Sequence, residues 1–359
     1  ETVAPEMVDY ALALFEAGDI EWIDMCFGDP LVTAKRLLRP MIMAGPWNDL
    51  ICADFAGIEA RVLFWLAKET EGLEMFRSGA DIYCEMASTI YEKPVIKKDK
   101  LERQVGKQTI LGSGYGMSGP KFRITCLTQA GVELSRKMAR HVIRSYRKKY
   151  PGVPQFWYGT EAAAIEAVRD GMPTEYGGIQ WDFPGGHFLF ATLPSGRRLA
   201  YPFPHIAVEP MRIWRCEDED GEETTVMLVG DQMIQLRLQR KLEEEGFKLI
   251  DPNPIIREKE VLRHWGEVKK RWVIETTYGG KLTENIDQAI SRDLMAEAML
   301  RLEAAGYPVI LSVHDEIVSE IGKNEGDLEE FERIMSEVPA WAAGCPVAVE
   351  GWRGERYRK

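Results

Sequence analysis

The chain has 359 residues, 45% of them hydrophobic and 28% charged, with a formal net charge of −12. That length accommodates two or three domain-sized units. No apolar run reaches the roughly 18 residues of a membrane span, no secretory signal opens the chain, and six cysteines without a CxxC pair argue against a zinc site or a disulfide framework and for a reducing compartment. The negative charge at first sight opposes a nucleic-acid partner. Placement matters more than the sum, however. Positive charge collects in Arg136 to Lys149 and in the tail Arg353, Arg356, Arg358 and Lys359, and acid at Glu217–Glu223 and Glu243–Glu245. Taken singly, each block reads equally well as a solvated helix face.

Val8 to Ala17 has helical spacing of apolar residues. Leu50 to Ala53 reads as a buried strand, and Ile58 to Ala67 as a helix with Ile58, Val62, Leu63 and Leu66 on one face. Met75 to Tyr91 and Leu101 to Leu111 are predicted helical. Ser135 to Tyr150 is a basic helix ended by Pro151-Gly152. From about Tyr176 to Pro204 the chain is rich in Gly, Pro and aromatics and reads as hairpins and turns. Asp218-Glu219-Asp220-Gly221 is a turn or exposed loop, Gln232 to Glu245 a polar helix, and Leu249 to Val261 a prolyl loop without a clear period. Thr283 to Ala305 is the clearest helix. Ile286, Ile290, Leu294, Ala298 and Leu302 form its apolar stripe, Asn285, Gln288 and Arg292 its polar one, and Gly306 its stop. Val309–Val313, a turn and Ile317–Ile321 read as a tight hairpin with His314, Asp315 and Glu316 at its tip. No internal repeat or low-complexity segment is present.

Chemistry concentrates in three places. Asp54 ends the run Leu50-Ile51-Cys52-Ala53, where a strand can hold a carboxylate rigidly at a cleft; a helix N-cap is the competing reading. Asp315 and Glu316 follow a second apolar strand, where local turn hydrogen bonding is the alternative. Successive acids beside a His repel one another and favour a divalent cation, and oxygen ligands select a hard ion: Mg²⁺, with Mn²⁺ as the alternative. Two such ions about 3.5–4 Å apart could activate a 3′-hydroxyl and steady a leaving pyrophosphate. Third, Arg103 and Lys107 are four residues apart and share a helix face that Leu111 and then Tyr115 continue. Two cations followed by an apolar surface suit a triphosphate followed by sugar and base. A solvated basic turn running into a core Leu is the plainer alternative. The run Gly112, Gly114, Gly116 and Gly119 is not a P-loop, since no Gly-Lys-Ser/Thr follows.

These residues carry a resemblance. Asp54-Phe55-Ala56-Gly57-Ile58-Glu59-Ala60-Arg61-Val62 resembles motif A of the family A DNA polymerases, the DNA polymerase I-like enzymes. Arg103-x₃-Lys107-x₇-Tyr115-Gly116 resembles their motif B, and Val313-His314-Asp315-Glu316 their motif C. The three occur in order, and the ordered set is far more specific than any one. The resemblance covers about Leu38 to the C-terminus apart from the middle. Thr283 to Ala289 and Gly351-Trp352 to Lys359 are similar to the compact phage and mobile-element branch.

The resemblance implies an α+β fold: a right-hand polymerase palm, with an antiparallel sheet and helices, plus a mainly helical fingers domain. Residues 1–38 are expected to be an N-terminal helical segment, 39–68 and 271–359 a discontinuous palm, 69–174 fingers, and 175–270 an insertion or fingers extension. No thumb or exonuclease domain fits before Leu38, and the chain opens at Glu1 rather than Met. The expectation is therefore a piece of a longer or split polymerase, with a thumb or exonuclease segment upstream or separate. DNA affinity should be weak and salt-sensitive and processivity low.

The implied roles are specific. Asp54 and Asp315 bind metal with the Phe55 carbonyl, and Glu316 assists near the primer end. Glu59 is a steric gate against a ribose 2′-hydroxyl. Arg103 and Lys107 bind the triphosphate, with Lys107 a proton donor to pyrophosphate. Tyr83 stands where many relatives have His, and Tyr115 stacks at the templating position. Asn285, Gln288 and His314 touch the nascent duplex in its minor groove. Three departures stand out. Leu111 replaces the usual Phe or Tyr and cannot stack in the same way, Ala56-Gly57 replaces Ser-Gln, and Glu284 replaces a common Asn. Leu193-Pro194-Ser195-Gly196-Arg197-Arg198 reads as a template-contacting turn or an ordinary hairpin.

The implied activity is template-directed DNA synthesis on primer-template DNA from deoxynucleoside triphosphates, with two Mg²⁺ ions, in the cytoplasm of a bacterial or phage-infected cell. A single-subunit RNA polymerase or primase-like nucleotidyltransferase is the runner-up, against which Glu59 and Glu316 speak. A non-catalytic nucleic-acid-binding subunit is the third reading.

Overall fold

The computed structural model describes residues 3–217, 221, 223–229, 240, 243–244, 246–251 and 254–358. In chain order the first half is α1 (Val8–Ala17), α2 (Ile20–Phe27), α3 (Pro30–Leu37), β1 (Asn48–Phe55), α4 (Ile58–Leu66), α5 (Thr70–Arg77), α6 (Ile82–Tyr91), α7 (Lys100–Ser113), α8 (Gly119–Ala130), α9 (Arg136–Lys149) and α10 (Gly152–Asp170). A run of strands follows: β2 (Thr174–Tyr176), β3 (Ile179–Asp182), β4 (Phe188–Thr192), β5 (Arg198–Pro202), β6 (His205–Glu217), β7 (Glu223–Val229), β8 (Lys248–Leu249), β9 (Ile255–Val268) and β10 (Arg271–Thr277). The chain closes with α11 (Gly279–Ala304), β11 (Val309–Val313), β12 (Glu316–Gly322), α12 (Leu328–Ser336) and β13 (Val349–Gly354). No described helix is long and apolar enough to cross a membrane.

The chain forms two compact units. The first comprises Glu1–Ile58, Arg292–Ala340 and Val347–Lys359. Its sheet has the order β11-β12-β1-β13, with antiparallel pairing throughout. β1 is central because Leu50, Ile51, Cys52 and Ala53 are all buried, so both of its faces are covered. The N-terminal helices are punctuated by side-chain and glycine caps. Gly18 ends α1 in the left-handed conformation, Asp19 accepts from Trp22 N–H, and Asp29 accepts from Val32 N–H just before Pro30.

Two of the tail cations, Arg353 and Arg356, are structural rather than solvated. Arg353 pairs with Asp49 at 2.9 Å and donates to the carbonyls of Gly322, Lys323, Glu325 and Gly326; Arg356 binds Asp9 and the Pro40 carbonyl.

The second unit comprises Glu59–Ser291 and Trp341–Pro346. Its helical core is aromatic: Phe64, Phe122, Tyr146, Tyr150 and Trp157 pack with Met86, Val142 and Val153. Burying one such ring contributes about 1.5–3 kcal/mol. The basic helix α9 turns its apolar stripe of Ala139, Val142, Ile143 and Tyr146 into this core. Two of the three cations in its last turn are engaged too. Lys149 reaches Glu71 and Glu85, and Arg147 donates to the Met117 carbonyl.

The predicted continuous helix Met75 to Tyr91 is instead two. Gly79 takes a positive φ of 70°, and Asp81 caps α6 by accepting from Tyr83 and Cys84 N–H, so the chain breaks between them. The Gly- and aromatic-rich stretch is a four-stranded meander, β2-β3-β4-β5. The segment expected to be a prolyl loop up to Val261 contains the first half of β9, which pairs with β6 in the sheet β10-β9-β6-β7; β8 pairs on β6 as well. Ile255 to Glu258 are exposed, so no alternation marked that strand in the sequence. The polar helix expected over Gln232 to Glu245 lies outside the described residues except for Arg240, Glu243 and Glu244, and Asp218 to Asp220 lie outside them altogether.

Candidate active site

The backbone positions of the expected carboxylates come together in the first unit. β1 and β12 pair so that Asp54 faces Glu316 and Ala53 faces Ile317, and Phe55 N–H donates to the Asp315 carbonyl at 3.1 Å. Val313 pairs with Glu316, which leaves His314-Asp315 as a two-residue turn. His314 holds a positive φ of 56°, a left-handed conformation that costs a non-glycine residue about 1–2 kcal/mol. Strain of that kind is often found where a structure aims functional groups. Asp54, Phe55, His314, Asp315 and Glu316 thus share one end of the sheet. Asp54 and Asp315 are half-buried, His314 is exposed, and Phe55 is buried.

Glu316 is different. It is only 3% exposed, and both its oxygens have protein donors. The Cys52 thiol donates to Oε1 at 2.8 Å and the Tyr357 hydroxyl to Oε2. Burial, then the adjoining Glu316 carboxyl, pushes the Cys52 thiol far up from its ordinary range, and the same two causes raise the Tyr357 phenol. Neither Cys52 nor Tyr357 stood out in the sequence, because nothing periodic links positions 52, 316 and 357.

Among the described residues no group of three or more His, Cys, Asp or Glu is placed to hold a metal ion. Asp54 and Asp315, with the Phe55 carbonyl, form a smaller set of oxygens only, which is the donor chemistry of a hard divalent cation.

The second unit assembles the cationic residues around Tyr83. Arg103 Nε lies 2.8 Å from Asp81 Oδ2, the Arg103 guanidinium is 5.3 Å from the Tyr83 ring centre, and Lys107 Nζ is 6.0 Å from it. α7 can lie this close to α6 because of Gly106: a Cβ there would fall 2.1 Å from the Tyr83 carbonyl oxygen. Burial works to raise the Asp81 carboxyl. The hydrogen bonds from Arg103 and from Cys84 N–H outweigh it and hold the group below the usual carboxylate range. Asp81 was missed in the sequence, although an Asp before an apolar helical run is a cap signal.

Further along α7, a cleft of about 540 Å³ opens among Glu59, Gln108, Leu111, Tyr115, Tyr278 and Glu284. Leu111 is 39% exposed on it, so this end of α7 does not run into a core Leu. The Tyr115 hydroxyl donates to Asp287 Oδ2 and lies 3.4 Å from Glu59 Oε2. Asp287 is fully buried. Burial raises its carboxyl well above the usual range, Glu59 and Glu284 push in the same direction, and the Tyr115 hydroxyl opposes them. On α11, Asn285 Nδ2 donates to the Tyr201 hydroxyl at 3.3 Å and Gln288 is exposed. In the β4–β5 turn Arg197 donates to the Ala289 carbonyl on α11, and Arg198, which opens β5, pairs with Asp182 at the end of β3.

Known proteins share this architecture and sequence. The DNA polymerase of Bacillus phage SP02 is 31% identical over 357 residues, which is 99% of this chain and 48% of that protein. DNA polymerase I of Pseudomonas aeruginosa is 33% identical over 138 residues, 38% of this chain and 14% of that protein. The chain therefore spans about half the length of the phage relative and less of the bacterial one. The polymerase domain of Pol1 from M. smegmatis, solved in complex with DNA primer-template and dNTP, superposes with a TM-score of 0.52 at 18% identity, over 90% of this chain and 42% of that one. That last match is a likeness of fold. The sequence profile of DNA polymerase family A matches residues 30–171, a stretch that includes both the Asp54 strand and the Arg103–Tyr115 helix. With sequence likeness running through almost the whole chain and the fold agreeing, the chain belongs to DNA polymerase family A.

Proposed function

We propose that the chain performs template-directed DNA synthesis, adding deoxynucleotides to a primer 3′-hydroxyl with release of pyrophosphate. The observation that carries the reading is the pairing of β1 with β12, which delivers Asp54 and Asp315 from sequence-distant strands to one sheet end. Asp54, Asp315 and the Phe55 carbonyl would hold divalent ions, Mg²⁺ or Mn²⁺. Such ions supply a more acidic 3′-hydroxyl and positive charge for the leaving pyrophosphate.

The chain's own residues do the rest. Arg103 and Lys107 bind the triphosphate by charge-assisted hydrogen bonds, and Lys107 gives a proton to the departing pyrophosphate. Tyr83, beside both cations, adds a phenolic hydroxyl toward a phosphate. Glu59 occupies the space of a ribose 2′-hydroxyl and so selects deoxynucleotides. Leu111 presents an apolar surface to the sugar and base, and Tyr115, on the same cleft as Glu59, stacks at the templating position. Glu316, held by Cys52 and Tyr357, keeps that sheet end rigid near the primer terminus. Asn285, Gln288 and His314 read the minor groove through acceptors common to all base pairs. The partners are then primer-template DNA and deoxynucleoside triphosphates, and the compartment is the cytoplasm of a bacterial or phage-infected cell.

Primer extension with Mg²⁺ tests this. The parent should extend, and Asp54→Asn and Asp315→Asn should lose extension by about three orders of magnitude or more, the scale of removing charge stabilisation from a transition state. Equal extension by all three would refute the assignment. Faster incorporation of ribonucleotides than deoxynucleotides would favour the RNA polymerase reading.

A further inference from the structure

β9 and β10 pair along Leu262–Val268 and Arg271–Thr277, whereas β6 meets β9 only from Ile255 to Arg263. Among the described residues, the hairpin beyond Arg263 is a two-stranded ribbon. Residues 267–274 are exposed on both of its faces, so it is not shaped to bury a core. Isolated ribbons of this kind are marginal in water and need a further reason to be kept.

Three features of the ribbon point the same way. Its turn is Lys269-Lys270, and both residues hold positive φ, 51° and 62°. That is the type I′ turn, which Asn-Gly adopts easily and lysine does not. The turn therefore keeps two charges where uncharged residues would fit better. Arg271, next to it, is also exposed. Finally, the register sets Trp265 opposite Ile274 and Trp272 opposite Glu267, which puts both tryptophans on one face as a diagonal pair. Trp265 is 38% and Trp272 62% exposed. Glu267 is the one acid on that face near the tip. Glu275 lies on the other face and is paired with Lys281.

We propose that this ribbon is a binding surface for single-stranded DNA, made of residues other than those assigned to nucleotide and metal. Bases stack on Trp265 and Trp272, and phosphates meet Lys269, Lys270 and Arg271. Exposed aromatic rings beside cations are the general device for holding an unpaired strand, whose bases offer their faces as duplex bases do not. The net charge of −12 means that attraction to a polyanion has to be local, and this tip supplies it. The ribbon lies beyond residue 171, where the family profile match ends. The inference rests on the polymerase reading for the identity of the polymer.

The test is fluorescence anisotropy of the full chain with a fluorescein-labelled oligothymidylate, across a salt series, beside single-nucleotide extension on a primer-template with no template overhang past the templating base. Trp265→Ala/Trp272→Ala should weaken oligothymidylate binding by about ten- to a hundredfold. Lys269→Asn/Lys270→Gly removes two charges while installing the favoured turn. It should melt no lower than the parent, bind more weakly, and flatten the slope of log K against log salt by about 1.4. Extension on the short substrate should be unchanged in both. Unaltered oligothymidylate affinity in both variants overturns the proposal. So does tighter binding of duplex than of single strand, or a concentration-dependent dimer that the tryptophan variant abolishes. Loss of extension by the parent with oligothymidylate binding intact would strike the catalytic reading and leave the ribbon standing.

Discussion

Arg103 Nε lies 2.8 Å from Asp81 Oδ2, so the guanidinium expected to meet a triphosphate already holds an internal anion. Asp81 also caps α6 through Tyr83 and Cys84 N–H. Asp81→Asn keeps a capping oxygen and removes the charge. Stability should fall by less than about 1 kcal/mol, the scale of a cap, whereas Asp81→Ala should cost about that much or more. Steady-state kinetics should show KM for the deoxynucleotide falling several-fold in Asp81→Asn, since the incoming phosphates no longer compete with a carboxylate. A rise in KM would mean that Asp81 aims Arg103 rather than occupying it. The Asp81 carboxyl lies below its usual range, so its stabilising contribution holds above about pH 4 and is lost as the pH falls through the folded value.

Asp287 behaves in the opposite sense. Its folded-state carboxyl is raised well above the unfolded value of about 3.9, by burial first and by Glu59 and Glu284 after it. Its contribution is then fullest below about pH 4 and declines as the pH climbs toward the folded value. Asp287→Asn, a neutral isostere that still accepts from the Tyr115 hydroxyl, should remove this slope and melt above the parent on the alkaline side. Asp287→Ala should lose about 1–3 kcal/mol, because the Tyr115 hydroxyl loses its acceptor. Thermal melts from acid to alkaline pH on the three proteins decide it; parallel curves for parent and Asn variant would contradict the raised carboxyl.

Gly106→Ala should be among the most damaging small changes in the second unit. The added Cβ would fall 2.1 Å from the Tyr83 carbonyl oxygen and 3.0 Å from the Ala87 nitrogen, and backbone cannot swing aside as a side chain can. Overpacking of this kind costs about 1–3 kcal/mol or more. Urea unfolding should show a lower midpoint, and α7 should be displaced with Arg103 and Lys107 on it. An unchanged midpoint would mean that α6 and α7 part easily.

The six cysteines are free, and only Cys26 is exposed. Burial pushes the Cys126 thiol up to about 11 and the Cys345 thiol up to about 12, and Cys52 is raised further. Alkylation of the native protein followed by mass spectrometry should label Cys26 first and leave these three unmodified until denaturant is added. Cys52→Ala should cost about 1–3 kcal/mol by leaving one oxygen of a buried carboxylate without its donor, and Cys52→Ser less, since a hydroxyl can donate in its place.

Much of this was legible in the chain where one residue's neighbours in sequence are also its neighbours in space. The Asp315 hairpin was visible because two apolar strands flank a two-residue turn, and α11 because Ile286, Ile290, Leu294, Ala298 and Leu302 repeat at helical spacing; all five are buried. The break between α5 and α6 falls at Ser78-Gly79-Ala80-Asp81, where a glycine with positive φ and a capping aspartate separate two apolar runs that were read as one. The start of β9 left no trace, since Ile255 to Glu258 are exposed on both faces and have no reason to alternate. The polar partners were the hardest. Glu316 read as part of a hairpin tip, but Tyr357 and Cys52 reach it only through tertiary folding, and a hydrogen bond made across a sheet imposes no pattern on the string of residues.

Tyr357 has a practical consequence. It stands in the last few positions of the chain as given, yet its hydroxyl sits on the carboxylate next to Asp315, and Arg356 beside it is anchored to Asp9 and Pro40. An affinity tag fused directly after Arg358, or a protease nick just beyond Trp352, would pull on the end of the sheet that carries Asp54 and Asp315. Preparations that differ only in such trimming should therefore differ in activity, and a spacer between the final arginine and any fusion is the remedy.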